Sequence, residues 1–439
     1  MYYIFLGIFW VGVYLALIMA PLVVLLVSPV PAGSGFWWDV SLALGFAGTA
    51  MMGTLFFQTA RFRRASAPFG IDIIYYFHRQ ISLVAFAFIL IHPLLLLTVE
   101  PSLWGFFRPA VAPWHFWAGV GSLLALCLLL VSSLCRKPLH IDYDRWRVAH
   151  AVLATLALVL AIAHIEGVGH YVDAPSKKLL WGLISLSWLL LLAYVRLVKP
   201  ALLLRRPFRV TEVIAERGDA WTLQLAPEGH AGFSFQPGQF AWLTVWDSPF
   251  ALKEHPFSFA SSAEHPGALR FTIKALGDFT ARIKEVAVGQ KVYVDGPYGS
   301  FSTDRQPADS YVFIAGGIGI VPIMGILRTL VDRADRRPLL LIYAYHTWER
   351  LTFREELETL RGQLDLRLVF VLKEPPQGWQ GEVGLLSEEL LARHLPQQQN
   401  DRQEYFICGP VSMIQLSEKL LNRLGVPLSK IHSELFDLV

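Results

Sequence analysis

The sequence predicts a two-part molecule: an α-helical transmembrane six-helix bundle over residues 1–200, then a soluble part made of an antiparallel β-barrel (201–306) and an α/β domain (307–439). Three observations carry this. The mean hydropathy of +0.44 places part of the chain in lipid. The long uncharged runs are confined to the first 200 residues, whereas the remainder mixes polar and apolar positions. Past Pro200 the apolar pattern changes to short alternating runs, then to strands interspersed with helical stretches.

A helix needs about 20 apolar residues to cross the hydrocarbon core. Six runs approach this length, near 4–28, 40–60, 75–99, 115–134, 147–166 and 179–198. The first has no basic segment before it and no small-residue cleavage site after it, so a retained helix is expected and not a signal peptide. Arg61, Arg63, Arg64, Arg136, Lys137, Arg145, Arg147, Arg196, Lys199, Arg205 and Arg206 fall on one side of the bundle; Arg108, Lys177 and Lys178 fall on the other. By the positive-inside rule both termini and the soluble part are cytoplasmic. The net charge of +3 and the lack of a basic stretch interleaved with aromatics argue against a nucleic-acid partner. Cys127, Cys135 and Cys408 form no C-x-x-C pair, which excludes an iron–sulfur cluster or structural zinc held by this chain alone.

In the soluble part, alternation over 208–214 and 269–274 between Gly and Pro turns reads as an antiparallel barrel. The apolar runs 311–315, 339–345, 366–372 and 405–408 alternate with helical stretches, as in a parallel sheet flanked by helices. No internal repeat and no low-complexity segment is evident.

Histidines mark the bundle. His78 and His92 lie fourteen residues apart on the third span, and His150 and His164 fourteen apart on the fifth. Fourteen residues are close to four helical turns, so each pair shares a face with about 21 Å between its members. Facing helices bring His78 to His150 on the cytosolic side and His92 to His164 on the outer side, giving two bis-histidine haem sites. The competing reading is that each histidine only hydrogen-bonds a neighbouring helix. Identical spacing on two spans favours haem, since ionisable groups inside membrane segments are costly and usually functional. His115, His140 and His170 sit near span ends, where a solvated or interfacial place is expected.

Glycine turns mark the soluble part. His255-Pro256-Phe257-Ser258 precedes a strand that leads into Lys274 and then Gly277-Asp278-Phe279-Thr280. A glycine at a helix start lets backbone N–H groups approach a pyrophosphate, although a helix cap explains the same residues. Gly316-Gly317-Ile318-Gly319, followed by Pro322, comes straight after a strand and opens a helix, the setting of a dinucleotide turn. Cys408-Gly409-Pro410 takes the equivalent place after the last parallel strand, where a thiol would lie near a nicotinamide. An ordinary strand-to-helix turn is the alternative for each.

In this order, these four motifs resemble the ferredoxin-NADP reductase superfamily. Joined to six spans with paired histidines, they resemble the ferric reductase and NADPH oxidase family over nearly the whole chain. The resemblance implies a ferric reductase-like haem-binding membrane domain, an FAD-binding barrel and an NAD(P)-binding α/β domain. It implies that His255, Pro256, Phe257 and Ser258 line the flavin ring and ribityl chain. Lys274 and Gly277, Asp278, Phe279 and Thr280 would hold the FAD phosphates, and Gly316, Gly317, Ile318 and Gly319 the nicotinamide nucleotide. Phe436 matches an aromatic that stacks on the flavin. The cofactors implied are FAD and two b-type haems, with NADPH or NADH as donor. The segment Ala344-Tyr345-His346-Thr347-Trp348-Glu349-Arg350 lacks a basic residue directly after its strand, leaving Arg350 and Arg354 as candidates for a 2′-phosphate. No calcium-binding loop is present, and no regulatory subunit is expected.

The expected activity is electron transfer from cytosolic NAD(P)H to an extracytoplasmic acceptor in a prokaryotic inner membrane, with no side chain acting as general acid or base. The sparsely charged outer loops (Glu100, Arg108, Glu166, Asp173) favour oxygen reduced to superoxide, with a ferric chelate next and a quinone third. A membrane protein that senses NAD(P)H without turning it over is the reading of another class.

Overall fold

The computed structural model describes residues 2–26, 34–63, 70–395 and 402–435. Phe436 lies outside them. The chain divides into two compact units, Met1–Pro200 and Ala201–Val439.

A backbone in lipid must satisfy its own hydrogen bonds, and the first unit does so with helices. They are α1 (Tyr2–Leu26), α2 (Phe36–Thr59), α3 (Ile71–Val99), α4 (Trp114–Leu134), α5 (Tyr143–Val168) and α6 (Pro175–Ala193), the last running through a π-helical turn, Tyr194–Val198, into α7 (Lys199–Leu204). Among the described residues six segments are long and apolar enough to span a membrane, and the last of them covers Pro175–Leu204. Two antiparallel pairs, α2 with α3 and α4 with α5, pack along their length. Small buried residues on α2, among them Ser41, Gly48, Thr49 and Ala50, allow close approach to α3; a Cβ on Gly48 would lie 2.6 Å from the Ile89 side chain. Asp142 caps α5 by accepting the Arg145 N–H at 3.0 Å, and Gly169 at φ 69° ends it. Buried Trp181 and Trp188 on α6 meet edge to face at 6.0 Å, with Phe46 of α2 5.2 Å from Trp181.

The second unit begins with a six-stranded antiparallel sheet of β1 (Phe208–Glu216), β2 (Ala220–Pro227), β3 (Phe240–Thr244), β4 (His255–Ser258), β5 (Leu269–Lys274) and β6 (Lys291–Tyr298), in the order β4-β3-β6-β1-β2-β5. A bridge between Phe259 and Phe271 brings its two edges together as a barrel around Leu223, Leu243, Phe259 and Phe271. Between β5 and β6 lies the short helix α8 (Asp278–Ala281).

A parallel sheet follows, of β7 (Ser310–Gly316), β8 (Leu339–Tyr345), β9 (Leu366–Leu372), β10 (Glu382–Val383), β11 (Gln403–Gly409) and β12 (Ile431–Leu435), in the order β10-β9-β8-β7-β11-β12. Helices α9 (Ile320–Asp332) and α10 (Arg354–Arg361) cover one face, and α11 (Glu388–His394) and α12 (Val411–Arg423) the other. The edge strands β10 and β12 are too short or too mixed to read from the sequence. The chain leaves β7 toward β8 on one side and returns at β11 on the other, so the strand order reverses between β7 and β11, where open α/β sheets bind ligands at their carboxyl ends.

Candidate functional site

In the bundle, α3 and α5 bring the four span histidines together in two pairs. The rings of His78 and His150 are 6.4 Å apart between centres, as are those of His92 and His164. Two metal–imidazole bonds of about 2 Å each, with the half-widths of two rings, call for roughly 6 Å when both nitrogens bind one iron. Among the described residues no three His, Cys, Asp or Glu side chains gather to hold a bare metal ion. A pair of histidines suits an iron whose remaining ligands come from a macrocycle.

The second ring nitrogens strengthen this fit. His92 Nδ1 lies 2.9 Å from the Ser41 carbonyl, and His164 Nδ1 lies 2.8 Å from the His115 carbonyl. A carbonyl only accepts, so both imidazoles donate from Nδ1 and keep the Nε2 lone pair for a metal. His150 Nδ1 has a longer contact, 3.3 Å, with the Ser133 hydroxyl, which donates to Leu129 O at 2.7 Å. His78 Nδ1 is buried with no hydrogen-bond partner among the described residues. His140 and His170 are exposed, while His115 is half-buried and contributes its main chain to the His164 site.

In the barrel, His255–Ser258 is itself strand β4, paired to β3 through Leu243–His255 and Phe240–Ser258. Phe279 of α8 stacks on His255 at 3.8 Å and lies near parallel to Phe257 at 6.1 Å, with the Trp246 edge 5.2 Å away. The Thr280 hydroxyl accepts the N–H groups of Leu276 and Gly277, each at 2.9 Å, so the helix cap is formed. Lys274 Nζ lies 5.4 Å from the Tyr345 ring.

In the parallel sheet, Gly316–Gly319 closes β7 and opens α9, with Gly317 at φ +55°. A Cβ on Gly319 would run into the Cys408 carbonyl, and one on Gly409 would lie 3.1 Å from Gly316 Cα. The two glycine motifs thus sit side by side where the strand order reverses, and Tyr343 donates to Gly317 O at 3.1 Å. Pro322 is buried in the first turn of α9, and Pro410 is exposed ahead of α12. Cys408 is fully buried; burial first, then the nearby Glu434, push its thiol well above the usual range. Of the cations after β8, Arg350 pairs with Asp219, while Arg354 pairs with Glu355 at 2.8 Å and lies over the Trp348 ring at 4.8 Å.

Residues 44–161 match the family described as a ferric reductase like transmembrane component, 207–302 an FAD-binding domain, and 313–419 an oxidoreductase NAD-binding domain. The chain thus joins a ferric reductase-like transmembrane component to FAD-binding and NAD-binding domains, the arrangement of the ferric reductase/NADPH oxidase-like family. This ferric reductase-like chain is 31% identical over 236 residues to the reductase component of propane 2-monooxygenase from Rhodococcus jostii, covering 52% of the chain and 62% of that protein. It is 32% identical over 186 residues to NADH-cytochrome b5 reductase 1 of Pyricularia oryzae, covering 40% of the chain and 60% of that protein. The matches therefore span about three fifths of these relatives' length. Among solved structures, the flavohem-like FAD/NAD binding domain of nitric oxide dioxygenase from Vibrio cholerae matches at 23% identity and a TM-score of 0.46, covering 53% of the chain and 98% of that domain.

Some residues of this ferric reductase-like chain escape a sequence reading. Ser41 and His115 act through carbonyls, which no side-chain pattern reveals. Gly45 and Gly119 lie against the His92 and His164 rings; the one available signal is a glycine on the apolar span next to each histidine's helix. Asp295 and Tyr298, joined by a 2.7 Å bond on β6, belong to an Asp-Gly-Pro-Tyr-Gly run whose Gly and Pro inside a strand mark a close approach to β3.

Proposed function

We propose that the protein is a flavin-dependent NAD(P)H oxidoreductase of the ferric reductase type, moving electrons from cytosolic NAD(P)H through FAD and two b-type haems to an acceptor across the membrane. The observation that carries this is the pair of matched histidine sites on α3 and α5, on a chain that also has FAD- and NAD-binding domains. FAD and haem, when bound, supply hydride acceptance and one-electron transfer. The residues supply position. Gly316–Gly319 and Cys408–Pro410 receive the nicotinamide nucleotide at the switch point between β7 and β11. His255–Ser258 and Phe279 flank the flavin ring, with Lys274 and Gly277–Thr280 toward its phosphates and Phe436 as the stacking aromatic. His78 with His150, and His92 with His164, would provide the nitrogens that hold the two haem irons. Cys408 presents its backbone to the Gly319 turn, while its thiol, neutral and packed in the core, attacks nothing.

Oxygen, reduced to superoxide, is the acceptor we favour, with a ferric chelate as the second reading. The loop between α3 and α4 supports a small uncharged acceptor: its Trp104, Phe106 and Phe107 form a continuous aromatic contact with Phe116 in the first turn of α4. The purified protein is expected to show a b-type α-band on dithionite reduction, to oxidise NAD(P)H in oxygenated buffer, and to reduce cytochrome c in a reaction that superoxide dismutase blocks. Oxidation that continues without oxygen once ferric chelate is added, and is slow without the chelate, would replace oxygen with iron. The absence of a haem band would overturn the whole reading.

A further inference from the structure

The two histidine pairs have equal ring separations but different surroundings. On the outer pair, each ring meets the same device on the preceding helix. In α2 the Ser41 carbonyl accepts from His92 Nδ1, and four residues later, one turn on, Gly45 faces the ring, where a Cβ would lie 3.2 Å from Cγ and Nδ1. In α4 the His115 carbonyl accepts from His164 Nδ1, and four residues later Gly119 faces the ring, where a Cβ would lie 2.8 Å from Nδ1. Both contacts are tighter than a side chain tolerates without the ring moving, so glycine is what admits the imidazole to the carbonyl. Ser41 adds a second tie, its hydroxyl donating to His92 O at 2.7 Å. The inner pair lacks this device among the described residues. Among the described residues His150 Nδ1 has only the 3.3 Å contact to a neutral hydroxyl, and His78 Nδ1 has no hydrogen-bond partner.

A strong bond from Nδ1–H to a carbonyl raises the basicity of the opposite nitrogen. A more basic axial ligand stabilises oxidised iron over reduced iron, and so lowers the potential. We propose that Gly45 with the Ser41 carbonyl, and Gly119 with the His115 carbonyl, are a matched pair of positioning clamps that make the outer iron site the more reducing of the two. This rests on the haem reading above. It adds that the site facing the acceptor is held as the stronger reductant by backbone geometry, and it assigns a role to two glycines and two carbonyls that bind nothing themselves.

The test is a redox titration of the full-length protein in detergent, followed by visible and low-temperature EPR spectra, with Gly45→Ala, Gly119→Ala, Ser133→Ala and the control Gly182→Ala, whose Cβ meets nothing within 4 Å. Two one-electron species are expected in the unmodified protein. Gly45→Ala and Gly119→Ala should each raise the lower-potential species, with about a tenfold change in its reduced-to-oxidised ratio at fixed poise, or roughly 59 mV for one electron. Its low-spin EPR signal should shift while the other species stays in place. Ser133→Ala should move only the higher-potential species, and Gly182→Ala neither. The proposal is overturned if the glycine variants move the higher-potential species, move both equally, move neither, or lose both haems together while the Gly182 control retains them. A protein with no haem signal at all would instead overturn the reading beneath it.

Discussion

Cys408 shows how one residue can carry a motif without carrying its chemistry. It sits at the carboxyl end of β11, beside Gly319 and across from Ala315, in the place a nicotinamide is expected. Yet its side chain is wholly within the core under α9. A thiol that is ionised less readily in the folded than in the unfolded chain leaves the folded state with more bound protons at alkaline pH. Its contribution is therefore flat below the unfolded thiol range and turns destabilising as pH rises through it. Mass spectrometry after iodoacetamide treatment at pH 8 should find Cys408 unmodified in the native protein and fully alkylated in denaturant. Ready alkylation of the native protein would show that the thiol is exposed and reactive.

Among elements, the turn between β1 and β2 deserves a mutational test because it ties the barrel to the parallel sheet by several different bonds. Arg217 grips Glu355 at 2.7 Å, Thr352 donates to Arg217 O at 3.0 Å, and Asp219 pairs with Arg350. Arg217, mainly through its hydrogen bonds, holds the Glu355 carboxyl down at about 2. Gly218 lies between them at φ +76°, with the Tyr345 hydroxyl and the Arg350 carbonyl where a Cβ would go. Gly218→Ala therefore combines left-handed backbone strain of about 1–2 kcal/mol with a clash against two groups. A thermal melt in detergent, followed by flavin fluorescence, should show release of flavin several degrees below the unmodified protein. An unchanged melt would show that the turn bends freely. The same geometry bears on donor choice, since Arg350 and Arg354 both already have carboxylate partners and a 2′-phosphate must compete with them.

For the whole molecule, the distribution of arginine and lysine around six candidate spans supports the proposed orientation, with the soluble part on the cytosolic side. In cells expressing a version with Cys127 and Cys135 changed to serine, a membrane-impermeant maleimide should label Arg108→Cys from outside. It should label Arg136→Cys only after permeabilisation. The reverse pattern would put the nucleotide domain outside the cell and remove cytosolic NAD(P)H as donor.

The division between what could be read and what had to be seen follows from the range of the forces involved. Helix existence and type depend on a local pattern repeated over twenty or so residues, and strand alternation is similarly local, so six spans, an antiparallel barrel and a parallel sheet were all legible. The fourteen-residue histidine spacing was legible for the same reason: a helix converts sequence separation directly into position along an axis. The strand-to-helix turn at Gly316–Gly319 was legible through its glycines, one of which, Gly317, takes a positive φ that few other residues adopt. The tertiary structure alone decided what packing across the chain decides. It brought Gly316 and Gly409 together from strands separated by three intervening strands and their helices, and it buried Cys408. It also gave the two histidine pairs unequal environments, because a carbonyl looks the same in every residue. Which one a histidine meets depends on how α2 packs on α3 and α4 on α5, and on the absence of a single Cβ at Gly45 and at Gly119.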